Sequence, residues 1–238
     1  MEKELAELVM RLKEAAGPNL KSVVLYGSAA TGEFHPKYSD LNLLCVLERL
    51  DPVDLEKLNP AVRAWLHKGY PTPLVFTLEA LRRSADVFPI ELLDIKASRR
   101  VLFGEDVFAD LEVPLNLHRP FLERELRTNL IRLRERYLAR SHDRKALLRL
   151  MTASVSTFAA LFRHVLIILG EQPPQRRRDV FDKLATRVGL EAAAFHAILD
   201  VREGKRREKQ MDVVETFRAY LEGITRVTKE IDRLLGGR

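Results

Sequence analysis

The stretch Val23-Val24-Leu25-Tyr26-Gly27-Ser28, followed after eleven residues by Asp40-Leu41-Asn42-Leu43-Leu44-Cys45-Val46-Leu47, decides how the first half of this chain is read. Two apolar runs flank a segment of small and polar residues broken by Gly32 and Pro36. The runs read as short buried strands over 21–26 and 40–47. A Gly-Ser directly after a strand offers backbone N–H groups and a hydroxyl at a helix start, where an anion such as phosphate is favoured. On a strand, Asp40 and Asn42 project to one side. Two oxygen-bearing side chains beside a phosphate cradle suit Mg²⁺, which takes carboxylates, waters and substrate phosphates. A second and third carboxylate would hold two metals and clamp an in-line phosphoryl displacement.

Outward from this stretch, Leu5, Leu8, Val9 and Leu12 repeat at helical spacing over 2–16, and Gly17-Pro18-Asn19 ends that helix. Asp51-Pro52 starts another helix that runs to about residue 67, with Asp51 as cap and Pro52 at the first helical position. Residues 72–77 read as a third strand, 78–85 as a helical turn or two, and 89–95 as a fourth strand with 99–103 paired to it. Strands alternating with helices imply an α/β sheet with at least one parallel pair. From residue 119 the pattern changes. Apolar residues recur at helical spacing around Phe121–Tyr137, then over 147–169, 178–188, 191–201 and 211–235, which reads as an all-helical bundle of four to five helices. The predicted domains are 1–115 and 118–238, with the boundary in a stretch holding Pro114 and Pro120.

Composition narrows the class. Hydrophobic content of 46% and charged content of 31% belong to a globular chain. No apolar run approaches the roughly 20 residues that span a bilayer, so no membrane partner is expected. The charged Met1-Glu2-Lys3-Glu4 start lacks an apolar signal core, and a cytoplasmic location is expected. The single cysteine, Cys45, excludes a disulfide framework and a cysteine-rich zinc site, and its apolar strand reads as a place for a buried, inert thiol. The net charge of +6 divides into −4 over 1–117 and +10 over 118–238, so the two halves are suited to different work.

The run Leu25-Tyr26-Gly27-Ser28-Ala29-Ala30-Thr31-Gly32 with Ser39-Asp40-Leu41-Asn42-Leu43-Leu44 resembles the polymerase-beta-like nucleotidyltransferase superfamily, whose signature is strand, Gly-Ser, short helix, then Asp-x-Asp or Asp-x-Glu on the next strand. The helical half is similar to those of aminoglycoside nucleotidyltransferases and minimal nucleotidyltransferase systems. The resemblance implies an N-terminal mixed sheet with flanking helices and a C-terminal all-α bundle. It also implies transfer of a nucleoside monophosphate from an NTP, ATP first, to an acceptor hydroxyl, dependent on Mg²⁺ or Mn²⁺. Carried onto this chain, Gly27, Ser28 and Ser39 would bind nucleotide, Asp40 and Asn42 would hold metal, and Asp40 would be catalytic.

Two departures matter. Asn42 stands where the family has its second carboxylate, and an amide brings no negative charge to a divalent ion. The third strand, Pro73-Leu74-Val75-Phe76-Thr77, carries no carboxylate at all. Glu79, Glu91 and Asp94 are the nearest alternatives. On a strand, Glu91 and Asp94 face opposite sides, so only one can point at the site, and Glu91 is the expected acid/base group.

Other signals are weaker. Arg136 and His142 have a spacing found in small ribonuclease-type helical domains, in a half that holds 21 arginines. Arg176-Arg177-Arg178 and Lys205-Arg206-Arg207 suit a phosphate backbone but lack aromatic interleaving, so base recognition is unsupported. His164 and Trp65 read as core residues. Two alternatives to an enzyme stand beside it: a nucleotide-binding regulatory module with a degenerate metal site, and an antitoxin-like partner that binds protein through the arginine-rich bundle. The acceptor and a homodimer are left open.

Overall fold

The computed structural model describes residues 1–236, with side chains through Arg233. The chain divides into two units, Met1–Leu117 and His118–Arg238.

The first unit is built on β1 (Leu20–Tyr26), whose Val23, Val24 and Leu25 are fully buried because helices cover both faces. It pairs antiparallel with β2 (Asn42–Leu47) on one side and with β4 (Arg99–Gly104) on the other. β3 (Leu74–Thr77) adds to β2 in parallel, giving the order β3-β2-β1-β4. The predicted parallel pair is therefore β2–β3, joined through α2 (Pro52–Leu66).

Side-chain alternation along the strands feeds two cores. On one face Leu25, Leu43 and Cys45 meet Leu5, Leu8 and Leu12 of α1 (Glu2–Ala16) and Leu58 and Trp65 of α2. On the other face Val24, Leu44 and Val46 meet Leu81 of α3 (Leu78–Arg83), Leu92 and Ile95 of α4 (Pro89–Ala97), and Phe108. The start of α2 follows its sequence signals. Asp51 accepts from the Asp54 N–H at 2.8 Å, the Asp54 carboxylate takes the Asp51 N–H in return, and Pro52 fills the first position. Trp65 at its far end stacks on Tyr70 with ring centroids 4.3 Å apart, and its indole N–H donates to the Pro71 carbonyl at 2.9 Å.

Residues 89–95 are not the expected fourth strand. They form α4, and 99–103 pairs with β1 rather than with them. Pro89 at the first helical position and burial of Leu92 and Ile95, three apart, belong to a helix packed on a sheet. β4 ends at Gly104, whose φ of +75° and closeness to the Lys21 carbonyl leave no room for a side chain.

The second unit is the expected helical bundle: α5 (His118–Arg140), α6 (Arg144–Ile168), α7 (Arg177–Val188), α8 (Ala193–Arg202) and α9 (Val213–Gly236). Aromatic rings fill its centre, with Phe158, Phe162, Phe181, Phe195 and Tyr220 linked by centroid separations of 4.6 to 6.1 Å. Tyr220 is fully buried and bonds Ser154 Oγ through its hydroxyl at 2.9 Å. The buried Arg202 guanidinium ties α8 to α6 by donating to the Thr152 carbonyl. By length and composition α6 is apolar enough to cross a membrane, against the expectation that no apolar run is that long. Of its most apolar window, 56% is packed inside the unit. His164 lies on α6 as a core residue, 2.8 Å from His118 between ring nitrogens.

Candidate nucleotide site

The β1–β2 register sets Tyr26 opposite Asn42, so the chain leaving β1 and the chain entering β2 meet at one end of the sheet. Gly27–Ala29 there forms a single 3₁₀ turn. Gly27 takes φ +76°, and a Cβ on it would stand 3.5 Å from Asn42 Nδ2. The glycine is thus needed for its left-handed backbone, while a methyl group there would make only ordinary contact with the Asn42 amide.

The Gly27 N–H is already committed. It bonds the Ser98 carbonyl at 3.0 Å and Ser98 Oγ at 3.2 Å. Ser98 Oγ in turn donates to the Asp94 carbonyl at 2.6 Å, and Ser98 is 5% exposed. The turn therefore hangs from the C-terminal end of α4. The Gly27 N–H is thus not available to an anion, nor is the Ala30 N–H, which bonds the Gly27 carbonyl at 3.0 Å. Ser28 is half-buried, and its carbonyl takes the Thr31 hydroxyl at 3.4 Å. Nothing in the sequence singled out Ser98; its signal, a serine between an apolar segment and a strand, is a common helix ending.

Asp40 and Asn42 do not share a strand. β2 begins at Asn42, and Asp40 lies in the loop before it, exposed, while Asn42 is half-buried. That loop is held by Ser39. The Ser39 N–H bonds the His35 carbonyl at 2.8 Å, and Ser39 Oγ accepts the His35 N–H at 3.0 Å. Ser39 thus fixes the approach of Asp40 to the sheet. Arg99, opposite Tyr26 on β4, was also missed. It grips both Asp106 oxygens through Nε and Nη2 at 2.8 to 3.1 Å, and this holds the Asp106 carboxyl below its usual range. Tyr26, just before the turn, is pushed up by burial and stays a neutral phenol.

Glu91 is exposed in the first turn of α4. At 1.5 Å per residue it stands roughly 10 Å along the helix from Ser98, and Asp94 roughly 6 Å. Being three apart on a helix rather than on a strand, the two carboxylates lie on one face. β3 brings none: the β2–β3 register runs from Leu44↔Leu74 to Leu47↔Thr77. Among the described residues no three His, Cys, Asp or Glu side chains gather as metal ligands. This donor set fits one Mg²⁺ or Mn²⁺ ion whose other ligands come from phosphates and water, and does not fit a two-metal centre.

Residues 5–94 match the family described as a nucleotidyltransferase domain. The match spans 90 of the 238 residues, all in the first unit, which is thus similar to nucleotidyltransferase domains. Among solved structures, spectinomycin adenyltransferase AAD(9) from Enterococcus faecialis, crystallised with ATP and spectinomycin, is similar in fold across both units of this chain. The TM-score is 0.56 at 14% identity, covering 95% of this chain and 99% of that one. A toxin-antitoxin structure with AMP-PNP overlaps 43% of this chain and 78% of its own at 20% identity, with a TM-score of 0.30, too low to argue from. No curated protein sequence matches this chain significantly.

Proposed function

We propose that the first unit transfers a nucleoside monophosphate from an NTP, ATP first, to the hydroxyl of an acceptor. The observation that carries this reading is the juxtaposition of the Gly27–Ser28 turn with Asn42 and the Asp40 loop at one end of the sheet. Ser28, with the N–H groups of the turn other than those of Gly27 and Ala30, holds the terminal phosphates. Asp40, with the Asn42 amide oxygen, would hold the Mg²⁺ or Mn²⁺, which when bound supplies charge neutralisation at the phosphates. The acceptor oxygen bonds to the α-phosphorus, the bond to the β-bridging oxygen breaks, and pyrophosphate leaves. The hydroxyl proton passes to a carboxylate; Asp94, four residues before Ser98 on α4, is nearer the turn than Glu91, seven before it. A small polyhydroxylated acceptor agrees with the fold shared with an adenyltransferase of spectinomycin.

The test is ATP binding by calorimetry with and without Mg²⁺, in wild type and Asp40→Ala. Binding that needs Mg²⁺ and weakens at least about tenfold in Asp40→Ala, the scale of one lost charge–metal contact, supports the reading. Metal-independent binding that ignores Asp40 overturns it.

Asn42 favours a second reading, a nucleotide-binding module that no longer turns over. Pyrophosphate release that appears only in Asn42→Asp would select it.

A further inference from the structure

Arginine pairing in the second unit is uneven. Arg127 bonds Glu123 and Asp232 at 2.9 and 2.6 Å, Arg178 bonds Asp200 and Glu203 at 2.8 Å each, and Arg187 bonds Glu171 at 3.1 Å. Arg136, Arg140 and Arg149 are exposed and have no hydrogen-bond or ion-pair partner among the described residues. These three stand together on the rim of one groove of about 520 Å³, between the end of α5 and the start of α6. Its accessible apolar lining is alanine: Ala139 of α5 and Ala153 of α6 are exposed and Ala146 is half-buried, while Leu147 and Leu150 are buried beneath them. Glu135 is the one acidic residue that lines it. Beside the groove on α5, Leu138 is 81% exposed.

Three unneutralised guanidiniums around an apolar floor are complementary to a ligand that is acidic on its flanks and apolar beneath. Arg136 and Arg140 are four apart on a helix, so their side chains are spaced roughly 6 Å apart. Carboxylates four apart on a second helix have the same spacing, and guanidinium–carboxylate pairs form bidentate bonds. A nucleic acid would meet the arginines with phosphates but has nothing apolar to lay on Ala139, Ala146 and Ala153. No aromatic ring lines the groove to stack a base. We propose that the α5–α6 groove docks an acidic amphipathic helix of a partner protein, its apolar face on the small side chains of Ala139, Ala146 and Ala153 and its carboxylates on Arg136, Arg140 and Arg149. This stands independently of the nucleotide chemistry in the first unit.

The probe is a fluorescein-labelled synthetic helix of about five turns, with leucines at helical spacing on one face and glutamates flanking them. Anisotropy is read on the full chain. The expected result is saturable binding, weakened at least about tenfold in Arg136→Glu/Arg140→Glu and in Ala153→Glu. It is unchanged in Arg176→Glu/Arg206→Glu, which alters net charge equally elsewhere. Circular dichroism establishes that each variant is folded, and Ala153, being exposed, tests the floor without opening the core. Equal binding of a scrambled peptide of the same composition, indifference to the groove substitutions, or displacement of the peptide by single-stranded RNA at lower concentration than by unlabelled peptide overturns the proposal.

Discussion

Ser98 Oγ accepts the Gly27 N–H at 3.2 Å while giving its own proton to the Asp94 carbonyl at 2.6 Å. One hydroxyl thus couples the end of α4 to the turn proposed to hold the phosphates. Ser98→Ala keeps the backbone bond between Gly27 and Ser98 and removes the side-chain one. The expected cost is about 1 kcal/mol of stability, with ATP affinity reduced severalfold. Thermal melting and calorimetry separate the two: a lower melting temperature with unchanged affinity would make Ser98 a structural residue only.

Asn42 and aspartate have the same shape, so Asn42→Asp adds charge without repacking. A second carboxylate near the Asp40 loop raises divalent-ion affinity. Mn²⁺-dependent ATP binding should tighten by about tenfold, or about 1.4 kcal/mol. Affinity unchanged across an Mn²⁺ titration would mean that residue 42 does not face the ion.

Gly104→Ala should be the most damaging glycine substitution on the sheet. Its Cβ would fall 1.8 Å from the Lys21 carbonyl oxygen at φ +75°. Gly32 has φ +77° but nothing within 4 Å, so alanine there carries only backbone strain. Urea unfolding should give a loss above about 3 kcal/mol for Gly104→Ala and about 1 kcal/mol for Gly32→Ala. Equal losses would show that β4 yields at this point.

Alkali should destabilise the fold through two buried acids. Burial pushes the Cys45 thiol up to about 12 and raises the Tyr220 phenol, against the opposing hydrogen bond from Ser154 and charge of Arg202. Both stay protonated in the folded chain. The unfolded chain releases these protons from about pH 8.5 for cysteine and about pH 10 for tyrosine. It then binds fewer protons than the native state, so stability is intact below about pH 8.5 and falls as pH rises toward 12. The melting temperature of Cys45→Ala should decline less steeply between pH 9 and 12 than that of wild type. Parallel curves would remove Cys45 from the account.

What could be read from the chain depended on how local the determining physics was. Asp51-Pro52 announced α2 because a cap and a first-turn proline act within one helical turn. Leu5, Leu8 and Leu12 announced α1 for the same reason. Residues 89–95 misled because a short apolar run has no decisive period, and only the sheet beneath Leu92 and Ile95 makes it a helix. That error set Glu91 and Asp94 on opposite faces, whereas on the helix they share one. The Gly27 turn was legible, but its attachment to Ser98 was not, since a contact between residues 71 apart leaves no local trace. Asn42 was visible as a departure from the start, and its place beside Gly27 gives that departure a physical setting.

Trp65 is the sole tryptophan of the chain, 2% exposed, stacked on Tyr70 and bonded to Pro71 within the first unit. The arginine-rich bundle has tyrosines but no indole. Excitation at the red edge of indole absorption therefore follows the melting of one half of the molecule while leaving the other dark, whereas far-ultraviolet dichroism is weighted toward the bundle's long helices. The chain carries its own two-colour reporter of whether its halves come apart together or in turn.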